Sequence, residues 1–251
     1  MVAIDEESLK TYGQFPWERD VFVPFFDHVS RARAVLFDIM FSTDGKDRES
    51  DRRFAEARAR QDNFILAASL VTKTAVSRTL RAKAGELLPV HGVNPPIPAF
   101  AESADVGHIF RHADEDGVTR RVHLAVRAPE GVVYSAAYLA AERYGADAES
   151  FLRKPAKTKP FGAGPGGEML IRFNAADKDF LTVPFHLVGE TDPSMYHDAI
   201  VLVGVTAAGE DTGATAVDKS MTLVYARTRA ICMCAMPATS ASATSTLRRA
   251  R

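Results

Sequence analysis

Two carboxylates, Asp5 and Asp38, stand where chemistry is easiest to build, because each belongs to an apolar stretch that reads as a buried strand. Residues 34–41, AVLFDIMF, are eight residues of which seven are apolar, with one charge at Asp38. A continuous apolar run of this length, closed by Ser42-Thr43-Asp44-Gly45, reads as a strand covered on both faces. An unpaired buried charge is costly. Asp38 is therefore expected towards the strand's carboxyl end, where open α/β sheets keep their ligand crevices. Residues 2–5, VAID, repeat the arrangement at Asp5, just before the helix-favouring Glu6-Glu7-Ser8-Leu9. A third apolar run, residues 199–203, ends at Gly204-Val205-Thr206, where glycine permits close backbone approach. If these strands are parallel, Asp5, Ser8, Asp38, Gly204 and Thr206 gather along one sheet edge. Arg19 and Arg121 are the expected partners of the two carboxylates, since an arginine can grip a carboxylate with two hydrogen bonds. Such a cluster has three uses. It can staple the turn at residues 13–19 to the sheet, recognise a polar ligand, or hold a divalent cation for hydrolysis.

The elements that must position these residues alternate. Residues 20–32 carry Val21, Phe22, Phe25, Phe26 and Val29 at helical spacing, with Pro24 placed for a first turn. This aromatic face is expected to pack on the sheet rather than hold a cofactor. A mixed-charge segment, residues 44–62, predicts a solvated helix capped by Ser50 or Asp51, and residues 64–68 predict a third buried strand. The order β-α-β-α-β implies parallel strands. Prolines 89, 95, 96 and 98 break residues 72–105 into an excursion with one short helix at 99–104. Residues 106–112 and 119–126 read as the arms of a hairpin around Asp116-Gly117. A helix over 134–144, a strand over 169–173 and a short turn at 193–197 complete the pattern. The predicted class is α/β: a mostly parallel central sheet with helices on both faces, plus a β-hairpin excursion.

Composition bounds the function. The chain has 251 residues, 46% hydrophobic and 25% charged, with a net charge of −1. It is long enough for one large α/β domain, and its charge offers no electrostatic footprint for nucleic acid. No run of about 18 apolar residues marks a transmembrane helix, and the opening MVAIDEESL is not patterned as a signal peptide. Cys232 and Cys234, the only cysteines, form neither a disulfide framework nor a zinc pattern. Gly162-Ala163-Gly164-Pro165-Gly166-Gly167 precedes a strand instead of following one, and Pro165 removes a donor that a phosphate cradle needs, so it reads as a linker. No nucleophile elbow, His-Glu-x-x-His or nucleotide loop is present, and the seven histidines are scattered. No cofactor and no metal site is expected.

Five blocks in order resemble a known family, the type 2 CHASE domain, an extracytoplasmic sensory module of bacterial adenylate cyclases, histidine kinases and related receptors. VAIDEESL at 2–9 and GQFPWER at 13–19 are similar to its opening, with Phe15 and Glu18 where tryptophan and proline are commoner. ARAVLFDIMFS at 32–42 resembles its second block. DEDGVTRRVHLAV at 114–126 resembles its hairpin, with His123 where proline is usual. IVLVGVTAAG at 200–209, followed by Asp211-Thr212, resembles the last core strand and its loop. The likeness covers residues 1–220, a sensor domain. After Met221 the family's Pro-Gly-Val-Glu-Ile-His-Ala-like helix start is replaced by other sequence. Residues 221–251 are expected to form a divergent, poorly ordered tail, with 221–236 poorly packed and 237–251 disordered.

The resemblance implies a non-catalytic sensor at the periplasmic face. Its anchor helices, absent from this sequence, would join it to a cyclase, kinase or similar output. The implied partners are a small ligand or a membrane state, with homodimerisation compatible and nucleic acid excluded. The alternatives are a metal-dependent hydrolase-like enzyme using Asp5 and Asp38, and a purely structural dimerisation module.

Overall fold

A computed structural model describes residues 1–72, 86–102, 104–153, 167–173, 180–208, 212–216, 218 and 220–235. The strands in chain order are β1 (Val2–Ile4), β2 (Ala34–Met40), β3 (Phe64–Val71), β4 (Leu88–Pro89), β5 (Gly92–Asn94), β6 (Asp105–His108), β7 (Arg111–Ala113), β8 (Thr119–His123), β9 (Ala125–Ala128), β10 (Gly131–Tyr134), β11 (Glu168–Leu170), β12 (Val183–Pro184), β13 (Ile200–Val205), β14 (Thr212–Gly213) and β15 (Met221–Thr222). The helices are α1 (Glu6–Tyr12), α2 (Val23–Val29), α3 (Arg48–Ala59), α4 (Pro98–Ala101), α5 (Ala136–Arg143), α6 (Glu149–Arg153) and α7 (Leu223–Ala235).

The continuous apolar runs become the middle of a parallel sheet. Its order is β12-β1-β13-β2-β3-β6, with β5 running antiparallel along the far part of β3. Strand β13, late in the chain, fills the slot between β1 and β2. Helices cover both faces, as expected of strands that are apolar on both sides. On one face Phe22, at the end of the 3-10 turn Arg19–Phe22, and Phe25, Phe26 and Val29 of α2 pack against Phe37, Phe54 and Phe64, a core of largely edge-to-face rings. The aromatic cluster is thus packing, as its spacing indicated. On the other face α5 buries Ala136, Ala137, Ala140 and Ala141 beside Leu36, Ile65 and Leu202, and α7 adds Val224, Ala226, Ala230 and Ile231. The small alanine face lets α5 lie close: a Cβ on Gly107 of β6 would stand 2.6 Å from the backbone of Ala136.

Several expectations change once the chain is packed. Residues 106–112 do not form one hairpin arm. Strand β6 joins the main sheet beside β3, and only β7 pairs with β8 across the Asp114–Val118 turn. Strand β11 extends that small sheet instead of the central one. The N-cap of α3 is Asp47, which accepts from the Glu49 N–H at 2.9 Å; Ser50 and Asp51 lie inside the helix and are buried. The largest correction concerns the tail. Residues 223–235 form a helix that buries Leu223, Val224, Ala226, Ala230, Ile231 and Cys234. Its buried positions Leu223, Val224, Ala230, Ile231 and Cys234 recur at helical spacing, so tertiary packing of that face holds a helix that local propensity alone favours only modestly. The glycine-rich residues 162–166, Asp211 and residues 237–251 lie outside the described residues.

Candidate functional site

Asp5 and Asp38 do lie at the same end of the sheet. Ile4 pairs with Val205 and Val203 with Phe37, so both carboxylates follow the strands to their carboxyl ends. They do not share a cluster. Asp5 is the N-cap of α1: its Oδ1 accepts from the Ser8 N–H at 2.9 Å and from the Ser8 hydroxyl at 2.7 Å. An aspartate three residues before a serine in a first turn satisfies an orphan backbone donor of the helix. His186 approaches the same hydroxyl through Nδ1 at 3.1 Å and stands 3.8 Å from Asp5 Oδ1. The residue types are those of a hydrolytic triad, but the geometry is that of a cap. The Ser8 proton goes to the aspartate, and Ser8 is fully buried. The Thr206 N–H donates to the Ile4 carbonyl at 2.9 Å and ties the turn after β13 to β1.

Asp38 projects to the opposite face from the aromatic core. Pairing between β2 and β3 slips after Phe37 and resumes at Met40, so Asp38 sits in an irregularity of the ladder, a feature that re-aims side chains. Its partner is Arg227 of α7, whose Nη1 donates to Oδ2 at 2.5 Å. The carboxylate is 1% exposed and the guanidinium side chain 14%. Gly204 permits this approach, because a Cβ there would come within 2.5 Å of Val224 on the same helix and 3.4 Å of the Asp38 Cβ.

The expected arginine partners are elsewhere. Arg19 is buried, donates to the Trp17 and Thr43 carbonyls at 3.1 and 3.4 Å, stands 3.8 Å from Asp51, and lies over the Phe41 ring. It staples the turn at residues 13–19, as one reading required, but to the β2–α3 connection and not to Asp5 or Asp38. Arg121 lies on the hairpin sheet, half exposed, beside Glu168 and Asp114. Among the described residues no group of three or more His, Cys, Asp or Glu is placed to hold a metal ion.

The partly open cavity that these elements create was not foreseen. It lies on the Asp38 face, between Leu36 of the sheet, the first turn of α5, the β7–β8 hairpin and α7, and its volume is about 30 Å³. His108, Arg111, Thr119, His123 and Arg227 line it. His108 closes β6 and is 1% exposed, and neither ring nitrogen has a hydrogen-bond partner among the described residues. Burial first, and the neighbouring His123 second, push its pKa down to about 3, so the ring is neutral at physiological pH. A neutral imidazole still presents one N–H donor and one lone pair. Arg111 Nη1 donates to the Thr119 hydroxyl at 3.1 Å. Its guanidinium has room because residue 213 is glycine: a Cβ there would meet Arg111 Nη1 at 2.7 Å. None of His108, Arg111, Thr119, His123 and Arg227 was among the candidate site residues read from the sequence; His123 was noted only within the hairpin block. His108 carried no signal, since one histidine in a short β-run has no period to betray it.

No helix among the described residues is long and apolar enough to cross a membrane. In comparison with known families, residues 1–246 match the model described as CHASE2 domain. No curated protein and no solved structure matches the chain.

Proposed function

This chain belongs to the CHASE2 domain family, a family of extracellular sensor domains in signalling proteins, and on that premise we propose that it is the non-catalytic sensing module of a membrane-anchored bacterial receptor. The module faces the periplasm and is coupled through anchor helices to a cyclase, kinase or similar output. Its signal is a change at the cavity beneath α7, and a small ligand is the input. The observation that carries this reading is the double role of α7: Arg227 holds Asp38 of the central sheet, and the same helix walls the cavity. A ligand that binds one arrangement of α7 better than another shifts the balance between them, which is all that a sensor requires.

The strand-end carboxylates support the sensor over the hydrolase. Asp5 is engaged as a helix cap and Asp38 in an ion pair, on different faces of the sheet. Two measurements test the reading. The coding sequence on both sides of this frame is expected to specify membrane helices and an output domain; a free-standing frame with neither overturns the proposal. The purified chain is expected to show no cyclase, phosphatase or esterase turnover above an Asp5→Asn, Asp38→Asn control. Robust turnover lost in that control would establish the enzyme instead.

A further inference from the structure

We propose that the cavity beneath α7 is a binding site for a small monovalent anion, of the size of chloride, nitrite or formate. This inference deepens the sensor reading and rests on it for its meaning in the cell; binding itself stands on the cavity alone. Size is the first argument. A space of about 30 Å³ holds roughly two water-sized groups, since one needs about 10–15 Å³ on the same measure. That fits a halide or a three-atom anion, and is too small to hold a whole sugar, amino acid or nucleotide within it.

Charge is the second argument. Two guanidinium groups, Arg111 and Arg227, line the space. Arg227 is balanced by Asp38. The partner of Arg111 among the described residues is the neutral Thr119 hydroxyl. One positive charge thus borders the cavity without a paired carboxylate among the described residues, and a cation is disfavoured. His108 adds a hydrogen-bonding group to the same wall. It is buried, lines the cavity, and has neither ring nitrogen partnered among the described residues. Buried polar groups are almost always satisfied by protein, water or ligand, and an N–H of the neutral ring can donate to an anion without becoming charged. Apolar Leu36, Val122 and Ile171 form other parts of the wall, so the site selects a small and weakly hydrated anion over sulfate or phosphate.

The test is a titration of the full chain with sodium chloride, nitrite and formate at constant ionic strength, with gluconate, too large for the cavity, as the balancing anion. The readouts are the thermal midpoint and the histidine side-chain ¹H–¹⁵N correlations. The expected result is a saturable rise in midpoint and a shift of the His108 ring resonances with at least one small anion. His108→Leu and Arg111→Gln are each expected to weaken binding about tenfold or more, the effect of losing a hydrogen bond involving a charged group. If a variant fails to fold, the ring resonances of the wild-type chain decide. Resonances unmoved by every small anion, or moved equally by gluconate, mean that the cavity holds water only, and the proposal is overturned. Hydrogen exchange of α7 separates the two claims. Binding without any change in α7 protection leaves the anion site standing and sinks the sensor reading. Absence of binding sinks the site and leaves the sensor reading to another ligand.

Discussion

Replacing Arg227 by methionine removes the cation of a buried pair and takes from the Asp38 carboxylate the guanidinium that Arg227 supplies. The stem volume is largely kept, so the loss is chiefly electrostatic. Breaking a buried ion pair by removing one partner typically costs about 3–5 kcal/mol. Protonation sets a ceiling. Asp38 can escape by taking up a proton, and for a carboxylate of ordinary pKa near 3.9 that costs about 4 kcal/mol at pH 7. The expected loss is therefore about 3–4 kcal/mol at pH 7, a large share of the roughly 5–15 kcal/mol of a typical domain. The sign of its pH dependence follows. In the variant the folded state favours protonated Asp38 and the unfolded state an ionised one, so the folded form gains relative stability as pH falls. The difference from wild type should shrink towards pH 4. Urea unfolding at pH 7, 5.5 and 4 measures it. The fluorescence of Trp17, the only tryptophan, reports the aromatic face and circular dichroism reports the helices. Adding Asp38→Leu to Arg227→Met is expected to recover most of the loss, because apolar replacement of a whole buried pair is often near neutral. A single-variant loss below about 1 kcal/mol, against the range above, or one that does not change with pH, would refute the view that this pair fastens α7 to the sheet.

The remaining predictions use other contacts. His108 has a folded pKa of about 3, below its unfolded value near 6.5. Its contribution is complete above about pH 6.5 and is lost as pH falls towards 3, at up to about 1.4 kcal/mol per pH unit. Wild type should lose about 2 kcal/mol more than His108→Leu between pH 6.5 and 5; parallel denaturation curves would contradict this. Gly107→Ala places a methyl group 2.6 Å from the Ala136 backbone and is expected to destabilise by about 1–3 kcal/mol or more, whereas Gly189→Ala, where the added Cβ meets nothing within 4 Å, is expected to be neutral or to stabilise by up to about 1 kcal/mol. Truncation after residue 236 should leave the thermal midpoint unchanged, whereas truncation after residue 222, which removes α7 and Arg227, should abolish cooperative unfolding; equal midpoints for the two truncations would show α7 to be dispensable.

The architecture was legible because its causes are local. Seven apolar residues in eight at positions 34–41 demand cover on both faces, and only a sheet with helices above and below supplies it. Helix starts were partly legible for the same reason. Asp5 caps α1 across three residues, but the cap of α3 moved from Ser50 or Asp51 to Asp47, since several acidic and hydroxyl residues in one segment compete for a single role. The carboxyl-end placement of Asp5 and Asp38 followed from strand direction alone. Their partners did not. Asp38 meets an arginine 189 residues away, while the nearer candidates Arg19 and Arg121 are held by Asp51, Glu168 and Asp114. An arginine can reach any carboxylate within its side-chain length, so the choice belongs to packing and not to spacing. The cavity is a still purer tertiary product. It exists because β6, the β7–β8 hairpin, α5 and α7 cannot close completely around His108, and a volume left between elements has no signature in any one of them.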